Sequence, residues 1–240
     1  MAPALFISDL HLAPERPELV AAFHAFVSGR ARGATALYVL GDLFDVWLGD
    51  DQLREPLAAG VAAALRALSA SGTPVYLQRG NRDFLLGERF ARAAGATLLP
   101  DAIVHDLHGK PTLIMHGDQL CTDDVDYQRL RAFWQNPANR RRVSRLPYAV
   151  RRAIARLLRA GSRRLTSSKP EEIMDVNAGA VAAAMSEHHV ARLIHGHTHR
   201  PARHELSIDG RTCERYVLAD WYKAGSYLEV GADAVTPRPI

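Results

Sequence analysis

Seven residues of the 240-residue sequence carry side chains of the kinds that bind divalent metal ions and stand shortly after short apolar runs. They are Asp9, His11, Asp42, Asn81, His116, His197 and His199. Carboxylate, amide and imidazole ligands together suit Mn²⁺, Fe²⁺, Co²⁺ or Zn²⁺, and a set without thiolates argues against a structural zinc site. An ionised carboxylate can bridge two cations. Asp42 lies in the segment 36–44, where a short apolar run and a glycine precede it. The set therefore predicts a dinuclear metal site bridged by Asp42.

These residues follow short apolar runs that have the pattern of buried strands. The run 36–40 is apolar and ends at Gly41, which delivers Asp42 to a strand tip. Four further runs end before metal-binding residue types, at 5–8, 75–78, 113–115 and 191–194. In open α/β sheets the binding site lies at the carboxyl ends of the strands, so we expect the seven side chains to meet there.

The segments between these runs have helical patterns, so the sequence predicts an α/β fold. Apolar residues at helical spacing predict helices over 17–28, 56–69, 84–94 and 171–188. Two pairs of strands are predicted as hairpins, 103–107 with 112–115 and 202–208 with 212–218, and a further strand is predicted at 226–230.

Length and composition favour one domain over residues 1–240. A hydrophobic fraction of 48% and a charged fraction of 23% suit a single sizeable core. Only Cys121 and Cys213 occur, far apart, which indicates no disulfide framework and suggests a reducing compartment. The sequence shows no secretory signal and no apolar run long enough to span a membrane, so we expect a soluble protein or one that rests on a membrane surface.

One segment accounts for the basic pI of about 9.3. From Arg129 to Lys169 there are many arginines and no Asp or Glu. Within it, apolar Leu146, Val150, Ile154, Leu157 and Leu158 alternate at helical spacing with Arg152, Arg156, Arg159 and Arg163. This pattern predicts a cationic amphipathic helix in a helical cap inserted at about 126–169. Its basic face is either simply solvated or binds anionic lipid or phosphate; nucleic acid is disfavoured because interleaved aromatic residues are few.

The motifs together resemble the calcineurin-like metallophosphoesterases. The matching residues, in order, are Asp9-Leu10-His11, Gly41-Asp42, Gly80-Asn81-Arg82-Asp83, His116 and Gly196-His197-Thr198-His199. The resemblance implies a β-sandwich flanked by helices, with the inserted cap. It also implies that Asp9, His11 and His199 hold one metal ion, that Asn81, His116 and His197 hold the other, and that Asp42 bridges them. A metal-activated water would then attack phosphorus in line.

Arg82 is a departure from that family, which usually has histidine after the asparagine to protonate the leaving group. Arginine is a poor proton donor but a good fixed clamp for phosphate. We therefore expect a leaving group that needs no proton, such as the phosphate monoester released from a pyrophosphate. The catalytic residues implied are Asp42, Asn81 and Arg82.

A finer resemblance is to the branch of this family that acts in lipid A biosynthesis. It lies in the motifs at 80–87, 115–118, 121–124, 173–177 and 194–201. It implies water attack on the α-phosphorus of UDP-2,3-diacylglucosamine, two Mn²⁺ ions per chain, and a cap that sits on the cytoplasmic face of the inner membrane. The implied substrate contacts are Asn81, Arg82, Asp124, Ser162, Thr166, Lys169 and His197, with Thr166 standing where relatives carry asparagine.

Two other functions remain open at this point. One is a generic dinuclear-metal phosphodiesterase acting on nucleotides or nucleic acid, which a histidine in place of Arg82 and a shorter insert would have favoured. The other is a non-enzymatic binding module, against which the complete ligand set argues. The sequence predicts no nucleic-acid partner and does not define an oligomeric state, for which a monomer is the default expectation.

Overall fold

The computed structural model describes residues 1–166, 175–222 and 225–240, with side chains described as far as residue 157 in the first range. Its strands are β1 (Ala4–Ile7), β2 (Ala36–Leu40), β3 (Val75–Gln78), β4 (Thr97–Leu98), β5 (Ala102–Leu107), β6 (Lys110–Met115), β7 (Arg192–His195), β8 (Ala202–Ile208), β9 (Arg211–Val217), β10 (Ser226–Val230) and β11 (Val235–Pro239). Its helices are α1 (Pro17–Ser28), α2 (Pro56–Ala70), α3 (Glu88–Ala93), α4 (Val125–Gln135), α5 (Pro137–Ser144), α6 (Tyr148–Thr166) and α7 (Ala178–Glu187).

The strands form two sheets that pack face to face. The first has the order β11-β10-β1-β2-β3-β4, in which β1 to β4 run parallel, and the second has the order β5-β6-β7-β9-β8, in which β6, β7 and β9 run parallel. Phe6, Leu40 and Ile194 are among the residues buried between the sheets. The predicted α/β sandwich flanked by helices is confirmed.

Helices cover the outer faces of both sheets. On the first sheet, Ile7 and Val39 share a buried cluster with Phe23 of α1 and Leu65 of α2. On the second sheet, α7 covers β6 and β7 through residues such as Met185. Because β1 and β2 are buried on both faces, their sequences are continuous apolar runs rather than alternating ones.

The structure corrects the predicted helix over 84–94, which begins only at Glu88. Gly87, immediately before it, has an extended backbone, and the carboxylate of Asp50 accepts hydrogen bonds from the N–H groups of Gly87, Arg89 and Phe90. A carboxylate from a short 3₁₀ helix distant in sequence, Asp50–Arg54, therefore satisfies the free N–H groups of the first turn and fixes where the helix starts.

The helix predicted over 171–188 also begins later, at Ala178. The side chain of Asn177 accepts a hydrogen bond from the N–H of Ala180 and so caps the helix at this point. Asp175 and Val176 precede the helix, while residues 171–174 of the prediction lie outside the described residues. The hairpins, by contrast, form as predicted.

Helices α4, α5 and α6 occupy the segment for which the sequence predicts the cap. Helix α4 is tied to the core by the stacking of Trp134 on Phe84, whose ring centroids are 4.2 Å apart. Helix α6 is tied to it by Tyr148, which donates a 2.7 Å hydrogen bond to Glu55, and by Arg151, which binds the carbonyl of Leu48 and the carboxylate of Asp51.

Arg151 is buried and therefore anchors the cap, unlike the exposed Arg152 next to it. None of the described helices has the length and apolar character needed to cross a membrane.

Candidate metal centre

The seven predicted ligands lie together at one end of the two sheets. Strands β1, β2 and β3 of the first sheet end before Asp9, Asp42 and Asn81, and strands β6 and β7 of the second sheet end before His116 and His197. Asp9, Asp42 and His116 are buried, whereas Asn81 and His197 are partly open to solvent. The parallel strands of both sheets thus bring their carboxyl ends to the same place, as the sequence predicts.

The backbone at this centre is unusual for residues with a side chain. Asp9, His11, Asp42, His197 and His199 have φ angles of 55°, 49°, 52°, 70° and 55°. The left-handed region is sparsely populated by residues other than glycine, and such residues cluster at functional sites. The chain therefore turns sharply at each strand tip, which points these side chains back into the centre.

Two groups of described side chains have ligand atoms close enough together to hold a metal ion, Asp9 with His11 and His199, and Asp9 with Asp42 and His116. The ligand atoms of Asp9, His11 and His199 all lie within 4.8 Å of one another. Nε2 of His199 is 3.2 Å from Oδ1 of Asp9, while Oδ2 of Asp9 accepts a 2.9 Å hydrogen bond from the N–H of His197. This is the trio for which the sequence resemblance predicts the first metal ion.

Asp42 lies between the two halves of the centre. Its Oδ2 is 3.8 Å from Nε2 of His11, and its Oδ1 is 3.9 Å from Nε2 of His116. On the second side, Oδ1 of Asn81 is 3.1 Å from Nε2 of His116 and 3.2 Å from Nδ1 of His197. Each carboxylate oxygen of Asp42 therefore faces a different histidine, an arrangement that suits the predicted bridging role.

The surroundings of the histidines fit a metal site. Nδ1 of His116 donates a 2.7 Å hydrogen bond to the carbonyl of Leu40, which leaves Nε2 for a metal ion. Nδ1 of His199 is 3.2 Å from Oδ2 of Asp220, the carboxylate–histidine pairing typical of metal ligands. Both ring nitrogens of His11 are buried without a hydrogen-bond partner among the described residues, so one of them is available to bind an ion.

Electrostatics at the centre also favour cations. Burial raises the pKa of Asp42 to about 8, and the carboxylates of Asp83 and Asp9 add to the rise, against the opposing effect of His116. Burial lowers the pKa of His11 to about 3 and that of His197 to about 4, so both rings are neutral and able to bind metal at physiological pH. A bound dication would stabilise the buried charge of Asp42.

Asp83 is a functional residue whose role the sequence analysis missed. It is fully buried, and its carboxylate accepts hydrogen bonds from the N–H groups of Asp42 (3.3 Å), Leu43 (2.8 Å) and Gly80 (2.7 Å). It thus fastens the tip of β2 to that of β3. The two tips approach so closely that a Cβ on Gly80 would lie 2.4 Å from the nitrogen of Asp42, so the contact requires glycine.

His195 supports the second sheet's tip and is not placed among the ligands. Its Nδ1 donates a 2.9 Å hydrogen bond to the carbonyl of Gly196, and its Nε2 accepts one of 3.1 Å from Arg215. Burial lowers the pKa of His195 to about 3, which keeps the ring neutral between these partners.

The structure describes the side chains of some of the predicted substrate-binding residues but not of others. Arg82 is exposed beside the centre, and its backbone N–H donates a 2.8 Å hydrogen bond to Oδ1 of Asp42. Asp124 caps α4 by accepting from the N–H of Tyr127. The side chains of Ser162 and Thr166, on α6, and the whole of Lys169 lie outside the described residues. The substrate contacts of all seven residues stay predictions.

Comparison with known proteins agrees with this geometry. A sequence model of the calcineurin-like phosphoesterases matches residues 2–201. UDP-2,3-diacylglucosamine hydrolase of Salmonella arizonae is 53% identical over 231 residues, which cover 96% of each chain. The hydrolase of the same name from Pseudomonas paraeruginosa is 50% identical over 236 residues, which cover 98% of each chain. A solved structure of a hypothetical protein from Pyrococcus horikoshii is similar in fold alone, with a TM-score of 0.50 at 13% identity over 100% of this chain and 87% of that one.

Proposed function

Since the chain belongs to the calcineurin-like phosphoesterase family, we propose that it hydrolyses the pyrophosphate of UDP-2,3-diacylglucosamine to UMP and 2,3-diacylglucosamine 1-phosphate (lipid X). Relatives of 50–53% identity over nearly the whole chain bear the name UDP-2,3-diacylglucosamine hydrolase. The reaction that we propose for this chain would belong to lipid A biosynthesis, as the resemblance of its motifs implies. The observation that carries the proposal is the meeting of Asp9, His11, Asp42, Asn81, His116, His197 and His199 at the tips of two sheets.

We further propose that the centre holds two Mn²⁺ ions. Oxygen and imidazole donors without thiolates suit Mn²⁺, and the carboxylate of Asp42 faces histidines on both sides. Two such ions, when bound, polarise a phosphoryl oxygen and lower the pKa of a water molecule. Asp9, His11 and His199 would hold one of them, and Asn81, His116 and His197 the other.

Arg82 would act on the substrate directly. Its backbone is fixed by the hydrogen bond to Asp42, while its side chain is exposed beside the centre and free to reach a phosphate. A guanidinium clamps phosphate oxygens but does not donate its proton at neutral pH. The bond that breaks joins the α-phosphorus to the bridging oxygen, which leaves on a phosphate monoester. That group leaves as an anion, since its second pKa is about 6.

Incubation of the purified protein with UDP-2,3-diacylglucosamine and Mn²⁺ tests this function. We expect release of UMP, loss of that release on treatment with a chelator, and recovery when Mn²⁺ is restored. Bis(p-nitrophenyl) phosphate serves as the comparison substrate. Hydrolysis of this diester with no release of UMP would favour the generic phosphodiesterase and reject the lipid substrate.

We also propose that the protein works as a peripheral protein on the cytoplasmic face of the inner membrane, with its cap toward the lipid. Arg152 and Arg156 of α6 are exposed, and apolar Val150 and Leu157 are 42% and 74% exposed. A cationic helix with accessible apolar residues suits the interface of an anionic bilayer. The same surface would bring the enzyme to a substrate with two acyl chains.

Charge reversal on the cap tests the membrane proposal. We expect the double variant Arg152→Glu and Arg156→Glu to bind vesicles containing phosphatidylglycerol at least about 10-fold more weakly, because each basic residue near such a surface contributes about 1 kcal/mol. Co-sedimentation at low ionic strength measures the binding. The matched control is Arg30→Glu with Arg32→Glu, an equal charge change at two exposed residues before β2. Equal weakening in both variants, or in neither, would contradict a cap-specific role.

A further inference from the structure

His11 differs from the other histidines of the centre in what holds its ring. His116 and His199 each have Nδ1 beside an oxygen, of Leu40 and Asp220 respectively. Neither nitrogen of His11 has a hydrogen-bond partner among the described residues. Whichever nitrogen binds a metal ion, no described hydrogen bond fixes the ring through the other, so its orientation must come from packing.

Tyr222 supplies that packing. Its ring lies nearly parallel to that of His11, with centroids 5.1 Å apart and planes at 19°. The ring of His199 meets His11 at an edge, with centroids 5.4 Å apart. The guanidinium carbon of Arg16 is 4.3 Å from the centroid of Tyr222, a distance typical of a cation–π contact. Tyr222 is therefore itself held in place while it covers one face of His11.

The segment that carries Tyr222 also contacts the two other ligands of the same trio. Asp220 lies against Nδ1 of His199, and the N–H of Trp221 donates a 3.3 Å hydrogen bond to the carbonyl of Asp9. The N–H of Tyr222 donates to Oδ1 of Asp220, which joins these contacts to one another. Trp221 is fully buried, its ring meeting that of Phe26 at an edge, and so anchors the segment in the core.

We propose that Tyr222 is a positioning residue that orients His11 toward the metal ion shared with Asp9 and His199. Stacking on a fixed aromatic ring restricts rotation of the imidazole about its last bond, which a hydrogen bond does for His116. The ring of Tyr222, and not its hydroxyl, makes the contact. The proposal rests on the dinuclear centre of the proposed function but not on the substrate.

Titration of the metal-free, full-length protein with Mn²⁺ tests this role, with the free ion followed by electron paramagnetic resonance. We expect Tyr222→Ala to weaken one of the two Mn²⁺ sites by about 10-fold, the lower end of the loss seen when residues supporting metal ligands are removed, and to leave the other site unchanged. Tyr222→Phe keeps the ring and is expected to bind both ions as the wild type does. Phe133→Ala removes a half-exposed ring of the cap and serves as the control.

Three results would overturn the proposal. Unchanged Mn²⁺ affinity in Tyr222→Ala with slower UMP release would make Tyr222 a substrate contact. Weakening of both sites, together with a lower unfolding temperature of the metal-free variant, would show a general structural role. Weak binding by Tyr222→Phe would assign the effect to the hydroxyl. If the wild-type protein releases no UMP while the predicted Mn²⁺ pattern holds, the proposed substrate fails and the role of Tyr222 stands.

Discussion

Asp42→Asn is expected to lower the rate of UMP release by about 1,000-fold or more without unfolding the protein. Removal of the bridging charge costs several kcal/mol of transition-state stabilisation, and each 1.36 kcal/mol is a tenfold change in rate. Asparagine keeps the shape of the side chain and can still accept the hydrogen bond from the N–H of Arg82. The measurements are kcat with saturating Mn²⁺ and the number of Mn²⁺ ions bound per chain.

The same variant is expected to be at least as stable as the wild type when metal is absent. The pKa of Asp42 is raised by burial to about 8 from 3.8, so its ionised form is disfavoured in the fold. A carboxylate with a raised pKa loses stability as pH rises from its unfolded value toward its folded value, a window that includes pH 7. Asparagine has no charge to bury and does not suffer this loss.

The control for Asp42→Asn is Asp106→Asn, the same chemical change at an exposed residue near the end of β5, where its carboxylate accepts a hydrogen bond from the N–H of Gly109. Asp106→Asn is expected to release UMP at the rate of the wild type. If Asp42→Asn keeps wild-type turnover, the carboxylate of Asp42 is not the bridging ligand. A large loss of stability in that variant would mean that the loss of activity reflects unfolding.

Asp83→Ala is expected to lower the free energy of unfolding by about 3 kcal/mol and to weaken metal binding as well. The change leaves the buried N–H groups of Asp42, Leu43 and Gly80 without the carboxylate that accepts from them, at about 1–3 kcal/mol each. Relief of charge repulsion with Asp42 offsets part of this cost. Urea denaturation of the metal-free protein measures the first effect, and Mn²⁺ titration measures the second.

Asp83→Asn distinguishes the loss of acceptors from the loss of charge. Its single amide oxygen can accept only part of the set of hydrogen bonds, so we expect a stability between those of the wild type and Asp83→Ala. If Asp83→Ala unfolds at the wild-type urea concentration, Asp83 does not hold the two strand tips together.

The sequence predicted the residues of the metal centre better than the residues that hold them in position. The strand at 36–40 is apolar at every position and bounded by Gly41, so both its limits and its delivery of Asp42 were readable. The remaining ligands follow apolar runs in the same way, and parallel strands bring their carboxyl ends together. Local patterns were enough to locate these residues because each of them follows closely on the strand that positions it.

The supporting residues act over distances that a local pattern does not record. Asp50 accepts from the N–H groups at the start of α3, and Arg151 reaches Asp51, 100 positions away. Helical spacing separates polar from apolar residues but does not identify the partner of a buried arginine. Asp220 was the exception, because it follows β9 just as the ligands follow their strands, and the same signal could have found it.

The sequence analysis also missed two strands, β4 and β11, for physical reasons. Strand β4 is only two residues long, and β11 contains Pro237 and Pro239, which remove backbone donors. Prolines within strands are most often found on edge strands, and β11 is an edge strand of the first sheet. Neither strand carries a residue of the metal centre, so missing them does not change the prediction of function.

Hydrolysis of UDP-2,3-diacylglucosamine in ¹⁸O-labelled water, with Mn²⁺ present and a chelator control, tests the central claim most directly. Attack of water on the α-phosphorus forms a bond between that phosphorus and the labelled oxygen, and the bridging oxygen leaves with the sugar phosphate. Mass spectrometry should then find the label in UMP and none in 2,3-diacylglucosamine 1-phosphate. Label in the lipid product, or labelled UMP formed equally well in the presence of the chelator, would contradict the account.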